Sequence, residues 1–401
     1  MARAPSTDPA KDAAALLRRL GFATLMLILP LVASFSRRGV VLFLPIGVAL
    51  LVIASVLDGA YRPLRISADR LTASAGVLAA GFGLAWAAVS LAWTPDLSDA
   101  TERLLGLFGS VGLGLAAYLS LPDRMRAANL YLIPVGAALA AVAVIVGALA
   151  IPSLADPEAE GQSLYRGLSV IALLTWPALA WLRSRNRDLE AICLVLVIGL
   201  ATLLGPEPAI SAAFASGALA WVLVALSPSV GVILVGLILA AVVLLSPLLP
   251  FLLSPFAHHL AVGGFPEALA GWKALVGSAP ARLLTGHGFG AFIQARIGYA
   301  LPVGTPDTLL VQVWYDLGAV GALAAGIALW AGLRGAAYNY VPLLPGVVAA
   351  FAAAFALACA GVGSGQAWWP AALVVLVIAF VGAERGQFRT RRPRARDLAR
   401  V

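Results

Sequence analysis

Three arginines stand apart in a chain that otherwise carries little charge. Arg166 ends a polar stretch, and Arg282 and Arg296 belong to a long segment between two apolar runs. A guanidinium group binds two phosphate oxygens at once and keeps its charge in a partly buried groove. The three side chains therefore predict an anion site, with a lipid phosphate or diphosphate as the ligand if the chain lies in a membrane. Contact with ordinary phospholipid head groups is the alternative.

His287 and Asp307 are the groups in the same region that could accept a proton during catalysis. A histidine titrates close to neutral pH, and a carboxylate can act as a base in a suitable environment. His287 lies in the glycine-rich stretch 286–290. This stretch lacks the preceding strand and the Lys-Ser/Thr helix start of a phosphate-binding loop, so it indicates a tight turn.

Asp316 is an ionisable residue inside the apolar run 311–317. A charge at membrane depth costs several kcal/mol unless it is paired or hydrated, so Asp316 is either a functional residue or a helix-packing partner of an arginine. Tyr315 beside it and Tyr165 beside Arg166 are candidates for side chains that either stabilise the structure or contact an acceptor substrate.

The sequence predicts no metal site and no cofactor. His258 and His259 are adjacent but have no third ligand at a suitable spacing, and Cys193 and Cys359 lie in separate apolar runs. A nucleophile elbow of the Gly-x-Ser-x-Gly type is missing from the sequence, which removes the usual signal of a serine hydrolase.

The composition decides which elements must position these residues. Of the 401 residues, 61% are apolar and 11% are charged, against roughly 25% charged in soluble domains. Such a chain cannot cover a water-facing surface, which excludes a soluble enzyme, a disordered protein and a single-span receptor. The net charge of +8 then reports orientation in a bilayer and gives no indication of nucleic-acid binding.

Apolar runs long enough to cross a bilayer predict an all-α, polytopic transmembrane bundle of about twelve spans. The expected spans lie near 20–36, 40–57, 71–93, 104–121, 130–154, 168–182, 191–204, 209–226, 230–253, 308–333, 343–361 and 370–383. This divides the chain into an N-terminal segment (1–19), spans one to nine (20–253), a cap loop with one or two short helices (254–307), spans ten to twelve (308–383) and a basic tail (384–401).

The distribution of positive charge predicts the orientation. If both termini are cytoplasmic, the cytoplasmic segments hold 20 of the 27 Lys and Arg residues. This agrees with the positive-inside rule. The cap loop 254–307 and the candidate site residues then face the outer side of the membrane.

The string LLTGHGFGAF over 283–292, followed by TPDTLLVQVWYDLGAVG over 305–321, resembles the O-antigen ligase and polymerase superfamily. Tyr165 and Arg166 at the start of the sixth span are similar to further features of that family. The resemblance implies a metal-independent glycosyltransferase of the bacterial inner membrane that takes a glycan from an undecaprenyl-diphosphate carrier at the periplasmic face. The acceptor is a lipid A-core sugar for a ligase and another glycan for a polymerase. Arg166, Arg282 and Arg296 would then contact the diphosphate.

The family pattern places a histidine a few residues before the tenth span, and the stretch 302–307 contains none. His287 or Asp307 could supply the base from another position, the histidine could be dispensable, or the protein could bind a lipid-linked glycan without transferring it. A secondary transporter also fits twelve spans, although Asp316 would be almost its only mid-span charge.

Overall fold

The computed structural model describes residues 9–36, 38–59, 74–150, 161–256, 265–339, 341–361 and 366–387. The protein is about 85% helical, and these described residues contain no strand. The prediction of an all-α protein is therefore confirmed.

The helices account for most of the described residues. In chain order they are α1 (Pro9–Ala23), a π turn (Thr24–Ile28), α2 (Leu29–Ala33), α3 (Gly39–Leu57), α4 (Ala75–Ser90), α5 (Leu97–Ser120), α6 (Ala127–Leu130), α7 (Leu132–Ala150), α8 (Gly161–Ser184), α9 (Asp188–Leu203), α10 (Pro208–Leu226), α11 (Pro228–Leu245), α12 (Leu249–Leu253), α13 (Phe265–Ser278), α14 (Arg282–Thr285), α15 (Ala291–Ile297), α16 (Leu309–Asn339), α17 (Leu344–Cys359) and α18 (Trp368–Arg385).

Ten helical segments among the described residues are long and apolar enough to cross a membrane, which indicates a multi-pass membrane protein. Each of the twelve expected spans overlaps a helix, but α9 and α17 have only 16 residues each, so among the described residues the structure supports ten crossings by length. The outer surface of the helical bundle carries exposed apolar side chains, which is typical of lipid contact. For example, Leu149, Leu203 and Leu226 are 71%, 73% and 79% exposed.

Helix α8 lies at the centre of the bundle, because 89% of the residues in its most apolar 18-residue stretch are buried inside the protein. Its Trp176 and Trp181 side chains are fully buried, and a Cβ added to Gly217 on α10 would lie 2.3 Å from the Trp176 ring. The close approach that glycine permits thus packs α10 directly on the central helix. Tyr165 and Arg166 lie in the first turns of this fixed helix.

Two helices begin earlier than the apolar runs predict. Helix α1 begins at Pro9, inside the expected polar segment 1–19, because proline is favoured in the first helical turn and an alanine-rich stretch follows. Helix α5 begins at Leu97, where the Asp96 carboxylate caps it by accepting a hydrogen bond from the Asp99 amide at 3.1 Å.

Helix α16 is broken at Gly318, although the sequence predicts an uninterrupted span there. Gly318 has φ 64° and ψ −162°, a backbone region that is essentially restricted to glycine. A Cβ at this position would lie 2.5 Å from the Leu284 carbonyl oxygen. The helix is therefore broken where the chain around Leu284 and Gly286 passes across α16. This break positions the candidate site.

Candidate functional site

Residues 286–290, called the glycine turn here, pass directly against the broken helix. Gly286, Gly288 and Gly290 all have positive φ angles, of 75°, 103° and 80°. A Cβ on Gly286 would lie 2.2 Å from the Asp316 carbonyl oxygen, and one on Gly288 would lie 2.6 Å from the Thr94 Cα. Both the backbone angles and the lack of space require glycine, which confirms the prediction of a tight turn.

The break in α16 frees backbone carbonyls that the glycine turn uses. The His287 amide donates to the Tyr315 carbonyl at 2.8 Å, and the Gly288 amide donates to the Asp316 carbonyl at 3.0 Å. In an unbroken helix these two carbonyls would accept hydrogen bonds from amides one turn later. The histidine is thus attached to α16 by the backbone on both sides of its Cα.

The Asp316 carboxylate is buried, with 2% of the residue exposed, and it binds the amino end of α15. One oxygen accepts from the Phe292 amide at 2.7 Å, and the other accepts from the Gly290 amide at 3.1 Å. A carboxylate at this position stabilises the first turn of a helix. The structure therefore favours a structural contact for Asp316, in which the backbone amides of α15 are hydrogen-bond donors and the charge of Arg103 is near enough to interact with the carboxylate.

The His287 ring stacks on the Tyr315 ring with the centroids 4.0 Å apart and an interplanar angle of 11°. Its Nδ1 lies 3.1 Å from the Tyr315 carbonyl oxygen. Because a carbonyl can only accept, this contact places the proton on Nδ1 and leaves Nε2 with its lone pair.

Burial lowers the pKa of His287, the Tyr315 carbonyl opposes this shift, and the charge of Arg282 lowers the pKa further. The net shift is downward from the ordinary value of 6.5. The imidazole is consequently neutral at pH 7 and has a basic nitrogen with a fixed tautomer.

His287 and Arg282 line the same shallow depression, called the histidine cleft here, which has a volume of about 30 Å³ and is partly open to solvent. Its walls include Trp272 of α13 and Trp314 of α16. The Trp314 indole is fixed because its Nε1 donates to the Val243 carbonyl at 2.8 Å. A cation, a neutral base and aromatic side chains therefore share one cleft, a lining that suits an anionic or sugar-bearing ligand.

Arg296 and Asp307 form an ion pair with an N–O distance of 3.0 Å, and their side chains are 49% and 40% exposed. The Asp307 backbone is held by a close approach, since a Cβ on Gly361 would lie 2.1 Å from its carbonyl oxygen. Exposed pairs of this kind contribute about 0–1 kcal/mol, so an anionic ligand can replace the carboxylate at little cost.

Arg166 is held by side chains from the connection before α18. Its Nη2 donates to Gln366 Oε1 at 2.9 Å, and its guanidinium carbon lies 5.9 Å from the Trp368 ring centroid. The adjacent Tyr165 hydroxyl lies close enough to Asp307 for the two groups to interact electrostatically. These contacts place the start of α8 beside the Arg296–Asp307 pair, and Tyr165, Arg166, Arg296 and Asp307 are called the arginine–aspartate rim below.

The structure thus divides the predicted site residues into two groups. Arg282, His287 and Tyr315 line the histidine cleft, with Asp316 behind it, and the other four residues form the arginine–aspartate rim. Of the three predicted phosphate-binding arginines, Arg282 alone is among the described residues that line the cleft.

Sequence reasoning missed several residues that support the glycine turn. The Thr94 hydroxyl donates to the Phe289 carbonyl at 2.9 Å, and the Phe289 amide donates to the Ser90 hydroxyl at 3.0 Å. Asp99 links α5 to α15, because one of its oxygens accepts from Arg103 at 2.7 Å and from Gln294 at 2.9 Å. The four-residue spacing of Asp99 and Arg103 on a helix face was the one available signal.

Within the described ranges, no group of three or more His, Cys, Asp or Glu side chains is arranged to bind a metal ion. His258 and His259 lie outside the described residues. Neither a scan of protein-family models nor a search of curated protein sequences finds a match to this chain.

Proposed function

We propose that this protein is an O-antigen ligase-like glycosyltransferase of the bacterial inner membrane. It would take a glycan from an undecaprenyl-diphosphate carrier and attach it to a lipid A-core sugar or to another glycan. The observation that carries the proposal is the histidine cleft, where a neutral histidine with a defined basic nitrogen lies next to an arginine. The string resemblance over 283–292 and 305–321 supports the same conclusion.

The proposal includes twelve membrane crossings, with α9 and α17 among them. At one end of α9 the Arg187 amide donates to the Leu182 carbonyl of α8 at 3.1 Å. At the other end a Cβ on Gly205 would lie 2.5 Å from the Leu168 side chain of α8. Helix α9 therefore runs back along about 14 residues of α8, which corresponds to roughly 21 Å at 1.5 Å per residue.

With twelve crossings both termini lie on one side, and the positive-inside rule assigns that side to the cytoplasm. The histidine cleft, the arginine–aspartate rim and the segment from α13 to α15 then belong to the periplasmic side. This is the side on which a carrier-linked glycan would meet its acceptor.

In the proposed reaction the acceptor hydroxyl attacks the anomeric carbon of the donor sugar. The new C–O bond forms as the bond from that carbon to the diphosphate oxygen breaks, and the polyprenyl diphosphate leaves with the electron pair. His287 Nε2 accepts the proton of the hydroxyl. Arg282 stabilises the charge that develops on the diphosphate, and no metal is required.

The arginine–aspartate rim supplies two further cations for the same leaving group. A diphosphate that binds Arg296 replaces Asp307 and frees this carboxylate, which would then face the acceptor. Arg166 is positioned by Gln366 and Trp368, so it presents its charge at a fixed place beside Tyr165.

The test is glycan transfer in cells that lack the gene and carry wild-type or variant copies. His287→Ala and Arg282→Ala should leave the glycan on its lipid carrier, whereas Lys273→Ala should restore wild-type transfer. Lys273 is a matched control, because it is a cation on α13 that does not line the cleft. If both cleft variants transfer glycan at the wild-type level, the proposal fails. Glycan attached to lipid A-core distinguishes a ligase from a polymerase, which would lengthen the carrier-linked chain.

Secondary transport is the second candidate, and the break at Gly318 beside the buried Asp316 favours it. Transporters commonly bind ions where a span is broken. Here both carboxylate oxygens accept backbone hydrogen bonds from the α15 amino end, so the group already has partners. Wild-type transfer levels after deletion of the gene would favour this candidate.

A further inference from the structure

The end of the molecule opposite the histidine cleft contains a second cavity, with a volume of about 130 Å³. It lies between α1 and the segment from Pro122 to Asn129, and Arg18, Arg19, Arg124 and Arg126 line it. The described lining residues include no acidic side chain. We call this space the four-arginine cavity.

The walls of the four-arginine cavity are held by specific contacts. Arg18 forms an ion pair with Asp58 at the end of α3, with an N–O distance of 3.0 Å. On the other wall, the Met125 amide donates to the Arg385 carbonyl at 3.0 Å, and the Arg385 guanidinium donates to the Leu121 carbonyl. The wall formed by α1 is therefore held by the end of α3, and the wall formed by the segment from Pro122 to Asn129 is held by Arg385 of α18.

One of the cations in the four-arginine cavity is incompletely hydrogen-bonded. The Nε atom of Arg18 is buried and has no hydrogen-bond partner, while the Arg19 and Arg126 side chains are exposed. A buried donor without a partner costs about 1–3 kcal/mol, and more when the group is charged. Several guanidinium groups around one space also repel each other, and an anion with several oxygens would relieve both costs.

The position of the cavity indicates the source of such an anion. Arg18 and Arg19 come directly before the apolar run that begins at Leu20, and the Leu20 side chain is 48% exposed next to them. In a bilayer that the apolar run enters at Leu20, this would be the depth of lipid head groups, with acyl chains alongside the helix. Basic pockets between membrane helices commonly bind the head groups of anionic lipids.

We propose that the four-arginine cavity binds the phosphate group of an anionic phospholipid from the leaflet at this end of the protein. Soluble phosphate offers the same oxygens, but it lacks the acyl chains that would lie along Leu20. The site lies at the end opposite to the histidine cleft and does not depend on glycan transfer.

The test is native mass spectrometry of the purified full-length chain in detergent, titrated with short-chain phosphatidylglycerol. One lipid should bind tightly to the wild type, and Arg19→Gln/Arg126→Gln should weaken this binding roughly tenfold or more, because each basic residue contributes several-fold. Arg19→Lys/Arg126→Lys should lose less affinity for the lipid, since lysine keeps the positive charge but cannot make the two-point contact of a guanidinium group. Helix content and thermal unfolding of each variant verify that it is folded.

Arg183→Gln/Arg187→Gln is the matched control. It removes two charges from the same end of the protein, at residues that pair with Asp188 and Glu190 and do not line the cavity. Binding within twofold of the wild type is expected for this control. An equal loss in both glutamine variants would overturn the proposal, because it would indicate a general charge effect. Inorganic phosphate that binds as tightly as the lipid would overturn the lipid assignment and make the cavity a site for soluble phosphate.

Discussion

The histidine cleft and the arginine–aspartate rim lie at the same end of the protein but are held in different ways. The cleft depends on backbone hydrogen bonds between the glycine turn and the break at Gly318, with a buried carboxylate behind them. The rim depends on exposed side-chain pairs such as Arg296–Asp307. A proton acceptor must be held in place, whereas cations that bind a bulky diphosphate must exchange partners. If the protein transfers glycan as proposed, this difference places the base in the cleft and the adaptable cations in the rim.

The largest effect is expected for Gly318→Ala. The side chain would lie 2.5 Å from the Leu284 carbonyl at a φ of 64°, so the glycine turn could not remain in place. We expect a loss of stability of roughly 3 kcal/mol or more and no glycan transfer. Thermal unfolding in detergent measures the first effect.

Gly335→Ala is the control on the same helix, because the space around its Cβ is open. It should stabilise α16 by about 0.5–1 kcal/mol. If Gly318→Ala unfolds at the wild-type temperature, the break does not hold the cleft.

The next largest effect concerns His287 and pH. A general base typically contributes about 10²–10⁴-fold to a rate, so His287→Ala should reduce transfer by that factor without unfolding the protein. The pKa of His287 is lowered from 6.5, so the base is neutral at pH 7 and becomes protonated only on acidification. The wild-type rate should be flat around neutral pH and fall below it, and the remaining His287→Ala rate should not show this fall.

Asp316→Asn should have an intermediate effect, and it should act on stability. The amide offers one oxygen where the carboxylate offers two, so one of the α15 amides loses its acceptor. The expected cost is about 1–3 kcal/mol in the free energy of unfolding. If the variant is as stable as the wild type but inactive, Asp316 instead contacts the glycan acceptor. The cleft would then contain a carboxylate that takes part in the reaction.

The smallest effects are expected at the rim. Asp307→Asn and Arg296→Gln remove one exposed ion pair and should each change stability by less than about 1 kcal/mol. Arg296→Gln should raise the apparent KM for the lipid-linked donor severalfold with a smaller change in kcat. If Asp307→Asn abolishes transfer while His287→Ala does not, the base lies in the rim and the assignment of roles is reversed.

The sequence predicts those features that depend on nearby residues. Apolar runs locate the helices, and Arg282 and His287 share a cleft because only one helical turn and the glycine turn separate them. The pairing of Arg296 with Asp307 also spans a short stretch of chain. A count of apolar residues does not detect helices that extend into polar sequence, as α1 does at Pro9 and α5 does at Leu97.

The remaining features arise from contacts between distant segments. Gly318 looks like an ordinary small residue in a span until Leu284 is known to pass beside it. Arg166 meets Gln366, which is 200 positions away. The four-arginine cavity likewise requires α1 to meet the segment after α5. Patterns in the sequence cannot indicate such pairs, because nothing local depends on them.

The most direct test of the central claim uses purified protein in proteoliposomes with an undecaprenyl-diphosphate-linked glycan, an acceptor and a metal chelator. The account predicts that the wild type and Lys273→Ala release undecaprenyl diphosphate as the glycan appears on the acceptor, and that His287→Ala and Arg282→Ala do so at least about a hundredfold more slowly. Equal release by all four proteins, or no release by the wild type, would contradict it.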